Sequence, residues 1–242
     1  MISTATHIVL AGFEELYTNV RHKEGRVYSD EELLHLPDIS ADHPHFIEWQ
    51  LRKESFERLK LYFEKRSGLM RILEVGCGNG WLTRQLAELP NTKVTGTDIS
   101  YTELRQAVRV FNHIPNLQFI YGGIHAKEIE DAKYDLIVFA ASIQYFSSLN
   151  DTISLAMRRL KTDGEIHILD SFFYKPGEVN IAKERTGKYY RNLGFPEMTE
   201  HYFHHSTDEL NSFLFKTLYR PSLINRLSNN KNPFPWLCIR KQ

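Results

Sequence analysis

The feature that most constrains the fold is a series of five apolar, β-rich runs separated by helical or turn-rich stretches. The runs are RILEV (71–75), KVTGT (93–97), LQFIY (117–121), YDLIVFA (134–140) and EIHIL (165–169). Between the first two, WLTRQLAEL places Leu82, Leu86 and Leu89 on one helical face. Ser100 and Glu103 form a capping-box pattern that opens a helix through Leu104, Val108 and Phe111. Asp151 to Leu160 predicts a further helix, closed by Asp163-Gly164. Strongly apolar strands alternating with helices predict an α/β chain, with a parallel sheet covered on both faces. The ending breaks this rhythm. Asn180 to Leu193 predicts a helix, and Ser206-Thr207-Asp208-Glu209 is a second capping-box pattern. KTLYR (216–220) and PWLCIR (235–240), separated by an Asn-rich stretch, predict a closing antiparallel pair.

Upstream of the alternation, Ile8 to Tyr17 predicts a short helix followed by a polar stretch that ends at Pro37. From Pro44 the pattern is helical, with Phe46, Trp49, Phe56, Leu59 and Phe63 on one stripe and Gly68 as the stop. Residues 1–43 therefore read as a leader or cap, and 44–242 as the main domain. Lys+Arg and Asp+Glu balance at 30 each, so no overall field draws the chain to nucleic acid or to an anionic membrane. The longest nearly apolar stretch, Leu136 to Ile143, is far short of the ~20 residues of a membrane helix. The first residues lack the basic region of a secretory signal, and Cys77 and Cys238 form no disulfide framework. These features lead us to expect a soluble, cytoplasmic protein.

The strongest motif is Glu74-Val75-Gly76-Cys77-Gly78-Asn79-Gly80, at the end of the first β run and just before a helix. Glycine admits positive φ and lacks the Cβ that would hold a ligand off. A tight strand-to-helix turn at the C-terminal edge of a parallel sheet is where nucleotide-like ligands bind. The second β run ends in Asp98, 18 residues past Gly80, where a carboxylate can accept hydrogen bonds from ribose hydroxyls. A dinucleotide site wants G-x-G-x-x-G, and here Trp81 stands at the last position. The triphosphate-binding G-x-x-x-x-G-K-[ST] is also missing. The residues favour an adenosine ligand without a cradled pyrophosphate.

LEVGCGNGWLT with GTDIS, then YDLIVFAASIQYF and LKTDGEIHIL, resembles a class I S-adenosylmethionine-dependent methyltransferase of the type 11 group over about residues 70–170. The resemblance implies a Rossmann-like seven-stranded sheet, mostly parallel with an antiparallel last strand, helices on both faces and an N-terminal helical extension. It implies S-adenosyl-L-methionine as cofactor and Glu74, Gly76, Gly78 and Gly80 along its methionine part. Asp98 would hold the ribose, Ile99 would pack on the adenine, Gly122, Gly123 and Ile124 would edge the adenine, and Ala140 would close the site. Where such proteins often have an acid that bonds the adenine amino group, this chain has Gly123, with His125 two places on.

Methyl transfer asks the protein mainly to align a nucleophile with the methyl carbon and to exclude water, so no catalytic residue is obligatory. Candidates are Tyr145, beside Gln144 after the fourth run, and the imidazoles His201 and His204 in His201-Tyr202-Phe203-His204-His205. The histidines read three ways: packing among aromatics, a base near neutral pH, or a metal pair at His201 and His205. No metal is expected. Arg52 reads as a partner for the cofactor carboxylate or as a solvated helix charge, the latter favoured. Residues 180–205 combine tyrosines, phenylalanines and histidines with Gly187 and Gly194, and predict a lid over a small-molecule substrate. The competing functions are a catalytically silent cofactor-binding protein and a nicotinamide oxidoreductase. Trp81 argues against the latter.

Overall fold

A computed structural model describes residues 4–222 and 231–241. Part of the Asn-rich stretch between the last two β runs lies outside the described residues. Seven strands form one sheet: β1 (Met70–Val75), β2 (Thr92–Asp98), β3 (Leu117–Tyr121), β4 (Tyr134–Ala140), β5 (Leu160–Leu169), β6 (Phe215–Tyr219) and β7 (Trp236–Arg240). Their order is β3-β2-β1-β4-β5-β7-β6. β1 to β5 pair in parallel, and β7 runs antiparallel to both β5 and β6. The last strand is therefore the one that opposes the rest.

Burial explains the order. β1 and β4 lie at the centre and are buried along nearly their whole length, whereas the edge strand β6 alternates half-buried with exposed residues. Successive residues feed opposite faces. Ile72, Leu136 and Val138 join Trp49, Phe63, Trp81, Leu86 and Phe111 in one core. Leu73, Ile137 and Phe139 join Ile153, Leu160, Ile166 and Ile239 in the other. The helices supplying these layers are α3 (Phe46–Phe63), α4 (Trp81–Ala87) and α5 (Tyr101–Phe111) on the first face, and α6 (Leu149–Arg159) on the second. α1 (Thr4–Lys23) and α7 (Val179–Leu193) meet in a third, smaller cluster around Val20, Tyr190 and Met198.

Several boundaries differ from the sequence expectations. α1 is longer than Ile8–Tyr17 and carries Tyr17 and Arg21, with Glu24 just after it, to the large cavity described below. The polar stretch after it contains α2 (Asp30–His35), nucleated by a full capping box between Ser29 and Glu32. α3 starts at Phe46 instead of Pro44, with His45 as its cap. α6 stops at Arg159, because Leu160 is already extended and opens β5 with an irregular pairing against β4. At α5, Ser100 accepts the Glu103 N–H, but the Glu103 carboxylate does not return to close the box. The Ser206 box does form and opens a short 3-10 helix over 207–212.

Gly80 illustrates how tightly the turn is packed. It caps α4 with φ at 78°, and a Cβ placed there would lie 2.7 Å from the Phe119 ring and 3.0 Å from Ala107. Gly80→Ala is expected to cost about 1–3 kcal/mol through strain and overlap. Urea unfolding should show a lower midpoint with an unchanged slope, partly recovered by Phe119→Leu. An unchanged midpoint would contradict this packing.

Candidate functional site

The turn after β1 is held from three sides. The Gly76 and Cys77 N–H groups both donate to the Thr97 carbonyl, at 2.9 and 3.1 Å. The Gly78 N–H donates to Asp98 Oδ2 at 2.7 Å, and Asp98 Oδ1 accepts the Ser100 N–H at 2.8 Å. The Ser142 hydroxyl donates to the Val75 carbonyl at 2.6 Å, and a Cβ on Gly76 would lie 2.5 Å from Ser142 Cβ. Only a glycine with positive φ fits at Gly76.

Two adjacent cavities flank this turn and share Tyr17, Gly76, Gly78, Ala141 and Tyr145. The smaller, of about 130 Å³, is bounded by Asp98, Ile99, Gly122 and Gly123 together with Phe13 and Glu14 of α1. The larger, of about 470 Å³, is bounded by Glu74, Ala140, Gln144, Asp170, four arginines (Arg21, Arg26, Arg52, Arg185) and six tyrosines. Ala141 and Asp170, directly after β4 and β5, hold φ of 51° and 52°. Left-handed backbone at non-glycine residues is costly and concentrates where geometry is dictated by a site.

The electrostatics are unusual for so small a volume. Burial pushes the Glu74 carboxyl up to about 8, against the opposing hydrogen bond from the Thr83 hydroxyl at 2.5 Å. Burial likewise raises Glu103 to about 7 and Asp170 to about 6, each opposed by a nearby guanidinium, Arg21 and Arg52 respectively. Asp98 is raised too, chiefly by burial, although backbone N–H donors favour its charged form. Cys77 is buried and its thiol is pushed upward by burial and by the neighbouring carboxylates, the reverse of an activated nucleophile. Behind two of the cavity's arginines, Glu48 takes Arg26 and two hydrogen bonds from Arg52 at 2.9 and 3.1 Å.

The sequence-derived residues divide sharply. Glu74, Gly76, Gly78, Asp98, Ile99, Gly123, Ala140 and Tyr145 border the two cavities. Gly80 and Ile124 do not. Gly80 packs beneath Phe119, and Ile124 is buried in the second core. His125 is exposed and borders neither cavity. Arg52 is no solvated helix charge: it is paired, stacked near Trp49 and faces the large cavity.

None of His201, His204 and His205 borders either cavity. His201 lies with its ring 4.9 Å from Phe13. His204 shares a 2.8 Å hydrogen bond with Thr186, and burial lowers it to about 4. His205 is taken up by the Ile143 carbonyl and the Glu209 carboxylate. The faces that the 180–205 segment turns to the cavity are Arg185, Thr186, Tyr189, Tyr190 and Tyr202. Among the described residues one set, Glu165, His167 and Cys238, brings metal-ligand atoms together, but Glu165 is occupied by Arg66, Arg240 and Tyr62.

Sequence reasoning missed Tyr17, Arg21, Glu103 and Asp170. The spacing of Tyr17, Arg21 and Glu24 along one helical face was the available signal for α1. The capping-box reading concealed Glu103.

Residues 72–164 match a family described as methyltransferase domain. The chain is 32% identical over 157 residues to a protein of Halalkalibacterium halodurans named malonyl-[acyl-carrier protein] O-methyltransferase, covering 56% of this chain and 57% of that one. It is 36% identical over 94 residues to a protein of that name from Acetivibrio thermocellus, covering 38% of this chain and 32% of the relative. The chain thus spans little more than half the length of the first relative and a third of the second. Among solved structures, YcgJ of Bacillus subtilis superposes with a TM-score of 0.61 at 14% identity, covering 78% of this chain and 99% of that one. Geranyl diphosphate C-methyltransferase from Streptomyces coelicolor, solved with Mg2+, geranyl diphosphate and S-adenosyl-L-homocysteine, gives 0.58 at 13% identity, covering 83% and 86%. These structural likenesses concern the fold.

The raised Glu74 carboxyl has a direct consequence for the ligand-free protein. Its proton is held in the folded state to about pH 8 and lost near pH 4.5 when unfolded, so the unfolded state binds fewer protons in between and stability falls as pH rises. Between pH 6.5 and 8.5, thermal unfolding of the ligand-free protein should move downward, and Glu74→Gln should flatten that slope. Equal slopes in the two proteins would contradict a buried, protonated Glu74.

Proposed function

We propose that this chain is a class I S-adenosylmethionine-dependent methyltransferase that binds its cofactor across the two cavities and transfers the methyl group to a small-molecule acceptor in the larger one. The observation that carries this reading is the shared glycine turn. Asp98 stands on its small-cavity side, and an aromatic, arginine-bearing space of about 470 Å³ opens on the other. The residues suit the cofactor: Gly76 and Gly78 leave backbone bare for close approach, and Asp98 faces the smaller cavity with acceptor capacity for ribose hydroxyls. Ile99 and Gly123 offer an apolar slot for the adenine, and Arg52 a cation for the amino-acid carboxylate.

When bound, the cofactor supplies an electrophilic methyl on a sulfonium, and the reaction is a displacement by the acceptor. The protein's part is alignment and exclusion of water. Tyr145 makes edge-to-face pairs with Tyr17 and Tyr202, ring centroids at 5.7 and 5.8 Å, and Tyr17 and Tyr145 wall the seam between the cavities. Gln144 is fixed by its amide donation to the Ala141 carbonyl at 2.6 Å and by the Ser171 hydroxyl at 3.0 Å. The Phe203 N–H reaches the Gln144 carbonyl at 2.7 Å, which ties the 180–205 segment to the rim of the site. Tyr189 donates to Glu24 at 2.5 Å and joins α7 to the turn that follows α1. In this reading residues 1–43 act as a cap on the cofactor, 44–242 carry the methyltransferase fold, and the 180–205 segment is the substrate lid. Tyrosines, in place of the histidines, are its substrate-facing groups.

The cavity volume falls within the ~300–1,000 Å³ common for small ligands. Arg185 at the rim, hydrogen-bonded to the Tyr174 hydroxyl at 3.4 Å, would draw an acidic group on the acceptor. A second reading, an acidic acyl group presented on a carrier protein, is favoured by the names of the relatives. Incubation with methyl-labelled cofactor and organic acids, free or carrier-bound, separates the two by whether label is recovered in small molecules or on protein. Among the described residues no helix is long and apolar enough to cross a membrane. The free, buried Cys77 and Cys238 accord with a cytoplasmic setting.

S-adenosyl-L-homocysteine should stabilise the protein by ~2.7 kcal/mol at a hundred times its dissociation constant. A thermal shift seen with nicotinamide dinucleotide alone would contradict the reading. Asp98→Ala should weaken S-adenosyl-L-homocysteine by ~1.5–3 kcal/mol in calorimetry. Asp98→Asn, which keeps one acceptor oxygen for the backbone, guards against loss of the turn itself. Unchanged affinity in both variants would leave Asp98 as a turn anchor only.

A further inference from the structure

Among the described residues, Glu103 is the one carboxylate of the site with a buried oxygen left unpartnered. Its Oε2 is shielded from solvent and has no hydrogen-bond partner. It lies 3.1 Å from where a Cβ of Gly78 would stand, so the carboxylate overhangs the glycine turn. Glu103 borders the larger cavity and not the one that holds Asp98, whereas Gly78 beneath it borders both. Arg21 Nε, in the wall of the same cavity, is also buried and unpaired, and the two side chains form no ion pair. A carboxylate retained at such a place without a partner costs stability unless a ligand compensates it.

The cofactor has its sulfur at the junction between the ribose and the methionine chain. With the ribose at Asp98 and the methionine part along Gly76 and Gly78, that junction falls at Gly78, beneath Glu103. We propose that the Glu103 carboxylate faces the sulfonium of S-adenosyl-L-methionine, so that the site holds the cationic cofactor more tightly than its neutral product. This rests on the cofactor reading above. S-adenosyl-L-methionine carries a sulfonium and an ammonium against one carboxylate, a net charge of +1, and S-adenosyl-L-homocysteine carries none. Transfer of the methyl group removes the charge that Glu103 attracts, which favours product release.

The surroundings set the pH dependence. Glu103 faces Arg21, Tyr17 and Glu14 from α1, Arg52 from α3, Asp98 at the end of β2, and Tyr145 after β4. Burial holds its proton to about pH 7 in the absence of ligand, with Arg21 opposing and Asp98 reinforcing the shift. A cation arriving beside it favours the charged form, so binding of S-adenosyl-L-methionine releases a proton below about pH 7. Affinity for it should therefore rise with pH through that region. The neutral product has no such effect through Glu103.

Calorimetric titration of the wild type and Glu103→Gln with each of the two ligands, at pH 6.5 and 8 and in buffers of different ionisation enthalpy, tests this. The isosteric amide keeps the volume and removes the charge. The expected result is about a 10-fold loss of S-adenosyl-L-methionine affinity at pH 8, less than 2-fold for S-adenosyl-L-homocysteine, and a smaller proton release at pH 6.5 than the wild type shows, the rest coming from Glu74 in the same cavity. An equal loss for both ligands would place Glu103 on the ribose or another shared group and overturn the proposal while leaving the cofactor reading intact. No loss for either would overturn it as well. A wild type that binds neither ligand would overturn the cofactor reading together with the proposal. Equal or higher thermal stability of unliganded Glu103→Gln shows that the variant is folded.

Discussion

The site depends on the grip of β2 on the turn after β1. The Thr97 carbonyl collects two N–H groups of the turn and the Asp98 carboxylate collects a third. Ser142, arriving from β4, closes the remaining side through the Val75 carbonyl. Backbone donors that would otherwise stay unpaired at a buried strand end are thereby satisfied. The same contacts hold Gly76 and Gly78 in left-handed conformations, so the turn itself carries no side chain at these two positions. A ligand can then touch the main chain, and the parallel register of β1 between β2 and β4 keeps this surface open at one edge of the sheet.

Around that rigid edge the charges are arranged less comfortably. Glu74, Asp98, Glu103 and Asp170 all feel burial first, and their carboxyls are raised by it. The guanidiniums of Arg21 and Arg52 counter them from α1 and α3, and Glu24 and Glu48 balance part of that charge in turn. Such a mixture is costly in an empty low-dielectric space and suits a ligand that is itself multiply charged. The apolar work falls to the tyrosines, whose rings wall the cavity while burial keeps their hydroxyls neutral, as at Tyr17, Tyr145 and Tyr202.

Much of the sheet was legible because its strands are buried on both faces and therefore read as continuous apolar runs, as with YDLIVFA for β4. The glycine turn and Asp98 were legible because a strand-to-helix turn this tight needs glycine at its left-handed positions and an acceptor for its N–H groups. Other elements were hidden for physical reasons. α2 is one and a half turns long and rests on the Ser29–Glu32 box and the buried Leu33, too little periodicity for a pattern to register. Gly80 and Ile124 sit beside site residues in the chain, but the turn and the strand end direct them into the core. Glu103 satisfied a local rule at the N-terminus of α5, and tertiary placement overrode that rule. The histidine cluster drew attention through residue type, whereas the α7 helical face determined that its tyrosine neighbours meet the cavity.

The central claim is that the two cavities form one site, with the cofactor lying across the glycine turn and the acceptor space beyond it. A crystal structure of the complex with S-adenosyl-L-homocysteine measures this most directly. The account predicts the adenine between Ile99 and Gly123, the ribose hydroxyls on Asp98, and the sulfur beside Gly78 with the tyrosine-walled cavity open in front of it. An adenine bound among the tyrosines, or a ligand confined to one cavity with the glycine turn untouched, would contradict it.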